Sequence, residues 1–257
     1  MLHVRFGAAA AAGLALGALA SSPPARAQAA WPAQRVNLYI GFAAGGFADT
    51  IARIVGARLG ERLGQSFVPQ NLEGGGGIRA TRQVTVAAPD GYTLLVTTAS
   101  VAINESLVPG RGYRAEQLEP VSIAVSAPES LSANKQSGFN SLADVVAAAR
   151  AGKVFLGSPG IGSGSHIAAE YFFKSLARAE VKHIPFAGGA PAMLGVIAGD
   201  VNVLATTATG GTLRNLQSGE VTAVGIAAKQ RASVLPNAPT FAEAGYAGFE
   251  EIGRAHV

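Results

Sequence analysis

VNLYIGFAAGGFADTIARIV, running from Val36 to Val55, decides the fold. A short apolar run, Val36-Asn37-Leu38-Tyr39-Ile40, precedes a loop of small residues, Gly41-Phe42-Ala43-Ala44-Gly45-Gly46. Beyond it Ile51, Ile54, Val55 and Leu59 recur at helical spacing, with Arg53 and Arg58 between them. That pattern reads as strand, glycine turn, helix. The first backbone amides of such a helix lack intrahelical partners and its dipole makes that end positive, so it suits an anion. Gly45 and Gly46 let a ligand approach the backbone closely. The turn therefore reads as half of a binding site for a small carboxylate.

The same unit recurs outward from it. Gln65 to Leu72 reads as a second strand, Glu73 to Gly77 as a second glycine turn, and Ile78 to Ala88 as a helix stopped by Pro89-Asp90-Gly91. Tyr92 to Thr98 is a near-continuous apolar strand, as expected when both faces of a parallel sheet are covered. Leu118 to Val125 and Glu129 to Ala133 read as two short strands. Ser141 and Asp144 have the spacing of a capping box ahead of an Ala-rich helix that Gly152 closes. Lys153 to Gly157 is a strand, Ser158 to Ser165 a third small-residue turn, and His166 to Leu176 a helix. Val181 to Phe186, the turn Ala187-Gly188-Gly189, a helix over Ala190 to Ala198 and a strand over Val201 to Thr206 repeat the unit again. A short helix (Leu213 to Leu216) and a strand (Val221 to Ala227) follow. The alternation predicts an α/β fold in two lobes, with glycine turns where open parallel sheets bind ligands.

Composition narrows the function. Hydrophobic residues make up 49% and charged residues 14% of the 257, enough to bury a core and too apolar for disorder. The formal charge of +4 overstates the basicity, because Arg5, Arg26 and Arg254 lie at the two ends; without them and Glu251, 17 basic residues face 15 acidic ones. No Lys/Arg cluster remains to neutralise a row of phosphates, so no nucleic-acid partner is expected. Residues 1–27 read as a signal peptide: His3 and Arg5, an apolar run from Gly7 to Ala20, then Ala25-Arg26-Ala27 before Gln28. Export to the periplasm follows, and the absence of cysteine excludes disulfides and thiol chemistry. Residues 251–257 match one reading frame of a common sequencing-adapter oligonucleotide and are set aside, which implies a chain truncated near Phe249 or Glu250.

Catalytic signatures are missing. Between the two ends only His166 and His183 remain, without cysteine, H-E-x-x-H or clustered carboxylates, so no metal and no cofactor are expected. Neither a G-x-S-x-G elbow nor a phosphate loop is present, and Gly75-x-Gly77-x-x-Ala80 is an isolated imitation of a dinucleotide fingerprint. Weight shifts toward binding. Asp49 reads either structurally, as a first-turn acid favoured by the helix dipole or as a cap, or as the group that receives an amine or hydroxyl of the ligand. Ser163, Ser165 and His166 either cap the helix that follows or hold the ligand from the opposite side. Gly188, Gly189 and Ala190 open a further helix that is expected to contribute amides. Phe42 and Phe47 read as packing residues, and His183 as structural.

At these residues the sequence resembles the extracytoplasmic solute receptors of the tripartite tricarboxylate transport type, the Bug or TctC-like proteins. The likeness runs from Trp31 to about Phe249 and is carried by WPAQRVNLYIGFAAGGFADTIAR, LGQSFVPQNLEGGGGIRAT, AAPDGYTLLVTTASVAIN, LEPVSIAV, GSPGIGSGSHIAAEYF, HIPFAGGAPAMLGVIAGDVNVLATT and LPNAPTFAEAGYAGFE, in that order. The resemblance implies a two-lobed periplasmic binding protein of type II, each lobe a mostly parallel sheet flanked by helices. It divides the chain into lobe 1 (28–125), lobe 2 (126–222) and an incomplete return to lobe 1 (223–250). It also implies ligand contacts from Gly45, Gly46, Phe47, Ala48 and Asp49, from Ser100, from Ser163, Gly164, Ser165 and His166, and from Gly188, Gly189 and Ala190. The partners implied are a small carboxylate and, transiently, the membrane subunits of a transporter, with the receptor itself a monomer. Ala44 stands where the family usually has Pro, Phe47 where it has a small or hydroxylated residue, Phe186-Ala187 where it has Tyr-Lys, and Thr206 where Asp is frequent. The polar edge of the pocket is reduced accordingly. Two other readings are an α/β hydrolase using Ser163 or Ser165 with a histidine, and a ligand sensor that reports to a membrane signalling protein.

Overall fold

A computed structural model describes residues 30–250 and the backbone of 252–256; residues 1–27, read as a signal peptide, lie outside it. The compact unit that begins at Gln34 carries the whole account below. Strand β1 (Val36–Ile40) has Val36, Leu38 and Ile40 buried and leads into helix α1 (Phe47–Leu63), which ends on Gly64 in the left-handed region. Strand β2 (Phe67–Asn71), helix α2 (Ile78–Thr85), strand β3 (Thr93–Thr98) and helix α3 (Ser100–Leu107) complete the first lobe. Strands β2 and β3 both pair with β1 in parallel, so the sheet runs β2-β1-β3. Val36, Leu38, Ile40, Ala48, Ala52, Phe67 and Val96 form its core.

The second lobe begins inside strand β4 (Ile123–Asn134), one strand of 12 residues where the sequence suggests two. Pro128 explains the difference: it donates no N–H and reads as a strand breaker, yet it lies where β4 changes partners. Before Pro128 the strand faces β9 (Ile252–His256), which also pairs with β3; from Glu129 onward it faces β7 (Val203–Thr207) on one side and β8 (Val221–Ile226) mostly on the same stretch. The boundary expected at 125/126 thus falls within an element that serves both lobes.

Helix α4 (Leu142–Arg150) starts on the expected capping box, with Ser141 Oγ accepting from the Asp144 N–H. Strand β5 (Phe155–Ser158), helix α5 (Gly164–Glu170), strand β6 (Lys182–Pro185), helix α6 (Gly189–Ala198), β7 and helix α7 (Gly210–Gln217) follow. Strands β7, β5 and β6 are parallel and β4 is antiparallel to β7, giving β4-β7-β5-β6. A π-helical turn over Tyr171–Leu176 extends α5 and buries Phe172 and Phe173.

Residues 223–250 do not return to the first lobe. Strand β8 adds to the second sheet beside β4, and Phe241 and Phe249 pack on Phe172 with ring centroids 4.7 and 5.7 Å away. Burying these rings against a complete aromatic cluster removes their surface from water, which a chain crossing to the first sheet at this point would leave exposed. The pairing with β3 is made instead by residues 252–256, inside the stretch set aside as foreign; only their backbone is described.

Candidate functional site

Loops after β1, β3, β5, β6 and β7, together with Glu129 within β4, converge between the lobes on a cavity of about 320 Å³. The first-lobe wall is the start of α1. Gly46 is its N-cap and contributes no side chain, so the amide end of a 17-residue helix opens on the cavity. Gly45, Gly46, Phe47 and Ala48 all line it. Gly45 has φ +78°, a conformation glycine adopts freely, and its N–H donates to Asp49 Oδ2 at 2.8 Å.

Asp49 does not line the cavity. Its carboxylate is buried beneath the turn, where it accepts from the Gly45 N–H, from Arg53 Nε and, at 2.9 Å, from Asn71 Nδ2. Burial raises the pKa of this carboxyl, but Arg53, the Gly45 N–H and Asn71 together outweigh it and hold the group below its ordinary range. Of the two readings of Asp49, the structural one prevails, as a brace that holds the turn ahead of the helix through the Gly45 N–H, while no side chain caps Gly46 itself.

On the opposite wall Gly189 and Ala190 open α6 and line the cavity, whereas Gly188 is used as the extended N-cap packed against Ala43. A Cβ placed on Gly46 would lie 3.6 Å from the Gly189 nitrogen, so the amide ends of α1 and α6 face each other. One hydrogen bond crosses beside them: the Ala43 N–H donates to the Ala187 carbonyl at 3.1 Å. Ser163, Gly164 and Ser165 line a third side. Ser163 caps α5 by accepting from the His166 N–H, and Ser165 Oγ donates to Glu129 Oε2 at 2.6 Å.

His166 points elsewhere. Its ring stacks on His183 with centroids 4.1 Å apart, and Nδ1 accepts from the Gly162 N–H. Burial depresses both histidines: His183 falls to about 4, with the neighbouring His166 ring as second cause. Ser100, also expected here, is buried and bonded to Thr98 Oγ1; Thr98 and Ala99 take its place on the wall. Phe42, read as a packing residue, lines the cavity, as does Phe47, which was read from its residue type as packing and from the resemblance as a ligand contact.

The sequence reading missed Glu129, Thr207, Thr209, Gly211, Arg214 and Asn215. A fifth small-residue turn, Thr207-Ala208-Thr209-Gly210-Gly211, carried the signal for three of them by the same rule that found the others. For Glu129 the signal was a lone acid inside an otherwise uncharged strand. The hydrolase reading finds no histidine on the cavity wall; the Ser158 Oγ–His183 Nε2 contact of 2.7 Å lies behind it, with Ser158 fully buried.

Two facing helix starts in separate lobes, closing over one cavity, are the geometry of a receptor. Residues 51–254 match the model of the tripartite tricarboxylate transporter family receptor, TctC. The chain belongs to this family.

Among other TctC-type proteins, BugT of Bordetella pertussis is 33% identical over 228 residues, which cover 85% of this chain and 68% of BugT. The solved structure of MatC from Rhodopseudomonas palustris with bound malate superposes with a TM-score of 0.83 at 30% identity, covering 88% of this chain and 78% of MatC. A second R. palustris protein, solved with adipate, gives a TM-score of 0.81 at 30% identity and covers 88% of this chain and 76% of its own. Thr206 lies on the cavity wall, and the Phe186 ring packs over Gly195 in the second-lobe core.

Proposed function

We propose that this chain is a periplasmic receptor that captures a small organic carboxylate between its lobes and delivers it, chemically unchanged, to the membrane subunits of a tripartite transporter. The observation that carries the reading is the convergence of the α1 and α6 amide ends, from opposite lobes, on one cavity. A carboxylate there would accept from amides of Phe47 and Ala48 on one side and of Gly189 and Ala190 on the other. Charge-assisted hydrogen bonds from two helix starts suit one anionic group. Neither wall completes the site, so binding favours the closed arrangement over an open one. Relatives crystallised with malate and adipate support this ligand class for the family. Phe42, Phe47, Met193 and Leu194 would enclose the apolar body of the ligand.

Isothermal titration of the purified protein with mono-, di- and tricarboxylates tests the reading. Saturable one-to-one binding by at least one acid is expected, and Gly46→Val, which pushes a branched side chain between the two helix starts, should abolish it while the protein still melts cooperatively. An acid that binds Gly46→Val as tightly as the parent would overturn the site. In cells, the transport role predicts that the protein co-purifies with transporter membrane subunits when the ligand is present, and runs as a monomer when alone.

A further inference from the structure

Most polar side chains on the cavity wall are already spent on the protein itself. Thr50 Oγ1 donates to the Gly46 carbonyl, Thr98 Oγ1 to Ser100 Oγ, and the hydroxyls of Ser165 and Thr207 to Glu129. Ser163 accepts from the His166 N–H, and Asn215 Nδ2 donates to the Gly211 carbonyl. Four side chains of the wall remain without a hydrogen bond or ion pair among the described residues: Thr206, Thr209, Thr212 and Arg214. A Cβ on Gly189 would meet Thr206 Oγ1 at 3.3 Å, so Thr206 sits beside the amide ends already described. The other three belong to one element: Thr212 and Arg214 lie on α7, and Thr209 is its N-cap, with a side chain that makes no capping bond. Arg214 is the one cation on the wall among the described residues, and it is exposed at the rim.

The start of α7 lies across the cleft from the first turn. A Cβ on Gly211 would be 3.9 Å both from Arg214 Nη2 and from the Gly45 carbonyl oxygen, and one on Gly210 would be 3.9 Å from Thr50 Cγ2. The guanidinium thus stands within reach of a ligand whose carboxylate is held by the α1 and α6 amides. A guanidinium has N–H donors and no acceptor, keeps its charge throughout the physiological range, and matches a carboxylate with its planar fork, two bonds at a time. Thr209 and Thr212 add neutral donors on the same element. An amide or hydroxyl at the far end of a ligand answers one of these donors, whereas a carboxylate answers several and also meets the charge. We infer that Arg214, with Thr209 and Thr212, forms a second subsite on α7 that takes a distal carboxylate, so that the receptor sorts acids by the charge at their far end. This inference rests on the carboxylate-receptor reading above.

The test is a set of matched pairs titrated into the purified protein at neutral pH: succinate with succinamate, glutarate with glutaramate, and adipate with adipamate. Each pair keeps its length and shape and differs only in the charge of the distal group. For the chain length that fits, the diacid is expected to bind roughly 10-fold tighter than its mono-amide, a preference that shrinks as salt is added because Arg214 is exposed. Arg214→Gln should draw the diacid down to the affinity of its mono-amide. Arg214→Lys should keep part of the preference, since it retains the charge and loses the fork. Melting curves on both variants separate these effects from unfolding, and the ranking in the parent protein stands as evidence without them. Mono-amides that bind the parent protein as tightly as the diacids would overturn the role of Arg214 while leaving the carboxylate reading intact. A preference that survives Arg214→Gln would overturn it too, as would a variant that weakens both members of a pair alike. If nothing in the series binds, both readings fall.

Discussion

Asp49 holds the first turn from beneath, so its removal should be felt in two measurements at once. Asp49→Ala leaves the Gly45 N–H and one Asn71 N–H without their acceptor. A loss of about 2 kcal/mol in stability is expected from thermal or urea unfolding, with weaker ligand binding because Gly45 and Gly46 are no longer fixed. Equal stability in the variant would contradict this bracing of the turn. His183 gives a second prediction. The unfolded chain takes up its proton near the ordinary value of 6.5, the folded protein only at about 4, so stability is full above pH 6.5 and drains as pH falls toward 4. The loss should reach about 1–2 kcal/mol, and His183→Gln should flatten most of it in a melting-temperature series. Residue by residue, the sequence showed the backbone donors and misjudged the side chains. A glycine turn before a helix speaks through local spacing, which is why Gly45, Gly46 and Gly189 were legible. Glu129 meets Ser165 and Thr207 across 36 and 78 positions, and no local pattern carries such a partnership. His166 and Ser100 sit in the right turns but face inward, a one-residue choice of direction made by packing.

The turns also work as surfaces that touch across the cleft. A Cβ on Gly188 would fall 2.8 Å from the Ala43 nitrogen, one on Gly76 would strike the Ile161 carbonyl, and one on Gly162 the Asn104 carboxamide. Gly188 has an extended backbone (φ 166°), so alanine there is strained by the neighbouring lobe and not by its own conformation. Gly188→Ala should therefore oppose closure more than folding. Affinity is expected to fall roughly 5–30-fold, the equivalent of 1–2 kcal/mol, with the melting point of the unliganded protein nearly unchanged. A melting point that drops while affinity holds would place the contact in folding. At this scale most elements were legible, because apolar runs of five or six residues bounded by glycine turns can be little else in a parallel sheet. Strand β4 was not, since the residue that reads as a breaker is tolerated where a strand changes partners. Nor did periodicity reveal α3, whose start at Ser100 follows β3 with a single intervening residue.

Over the whole molecule, β4 ties the lobes together and the Ala43–Ala187 hydrogen bond latches them. The latch joins two loops that carry the ligand amides, so occupancy and closure are linked: a ligand that bridges the walls stabilises the latched form by its differential affinity. Small-angle scattering should show a smaller radius of gyration when a bound acid saturates the protein, and Gly188→Ala should need more ligand to reach it. An unchanged radius on saturation would mean that binding and closure are independent. The two-lobed plan was visible in the sequence through its repeated unit, but the course of residues 223–250 was not. Phe241 and Phe249 are apolar in any lobe, and only the three-dimensional position of Phe172 decides which one they complete. The central claim, that facing helix starts grip one carboxylate, is tested most directly by diffraction from crystals grown with the tightest-binding acid. Its carboxylate oxygens should lie within hydrogen-bonding distance of amide nitrogens from both the Phe47–Ala48 and the Gly189–Ala190 turns. A carboxylate held by one lobe alone, or lodged outside the cleft, would contradict it.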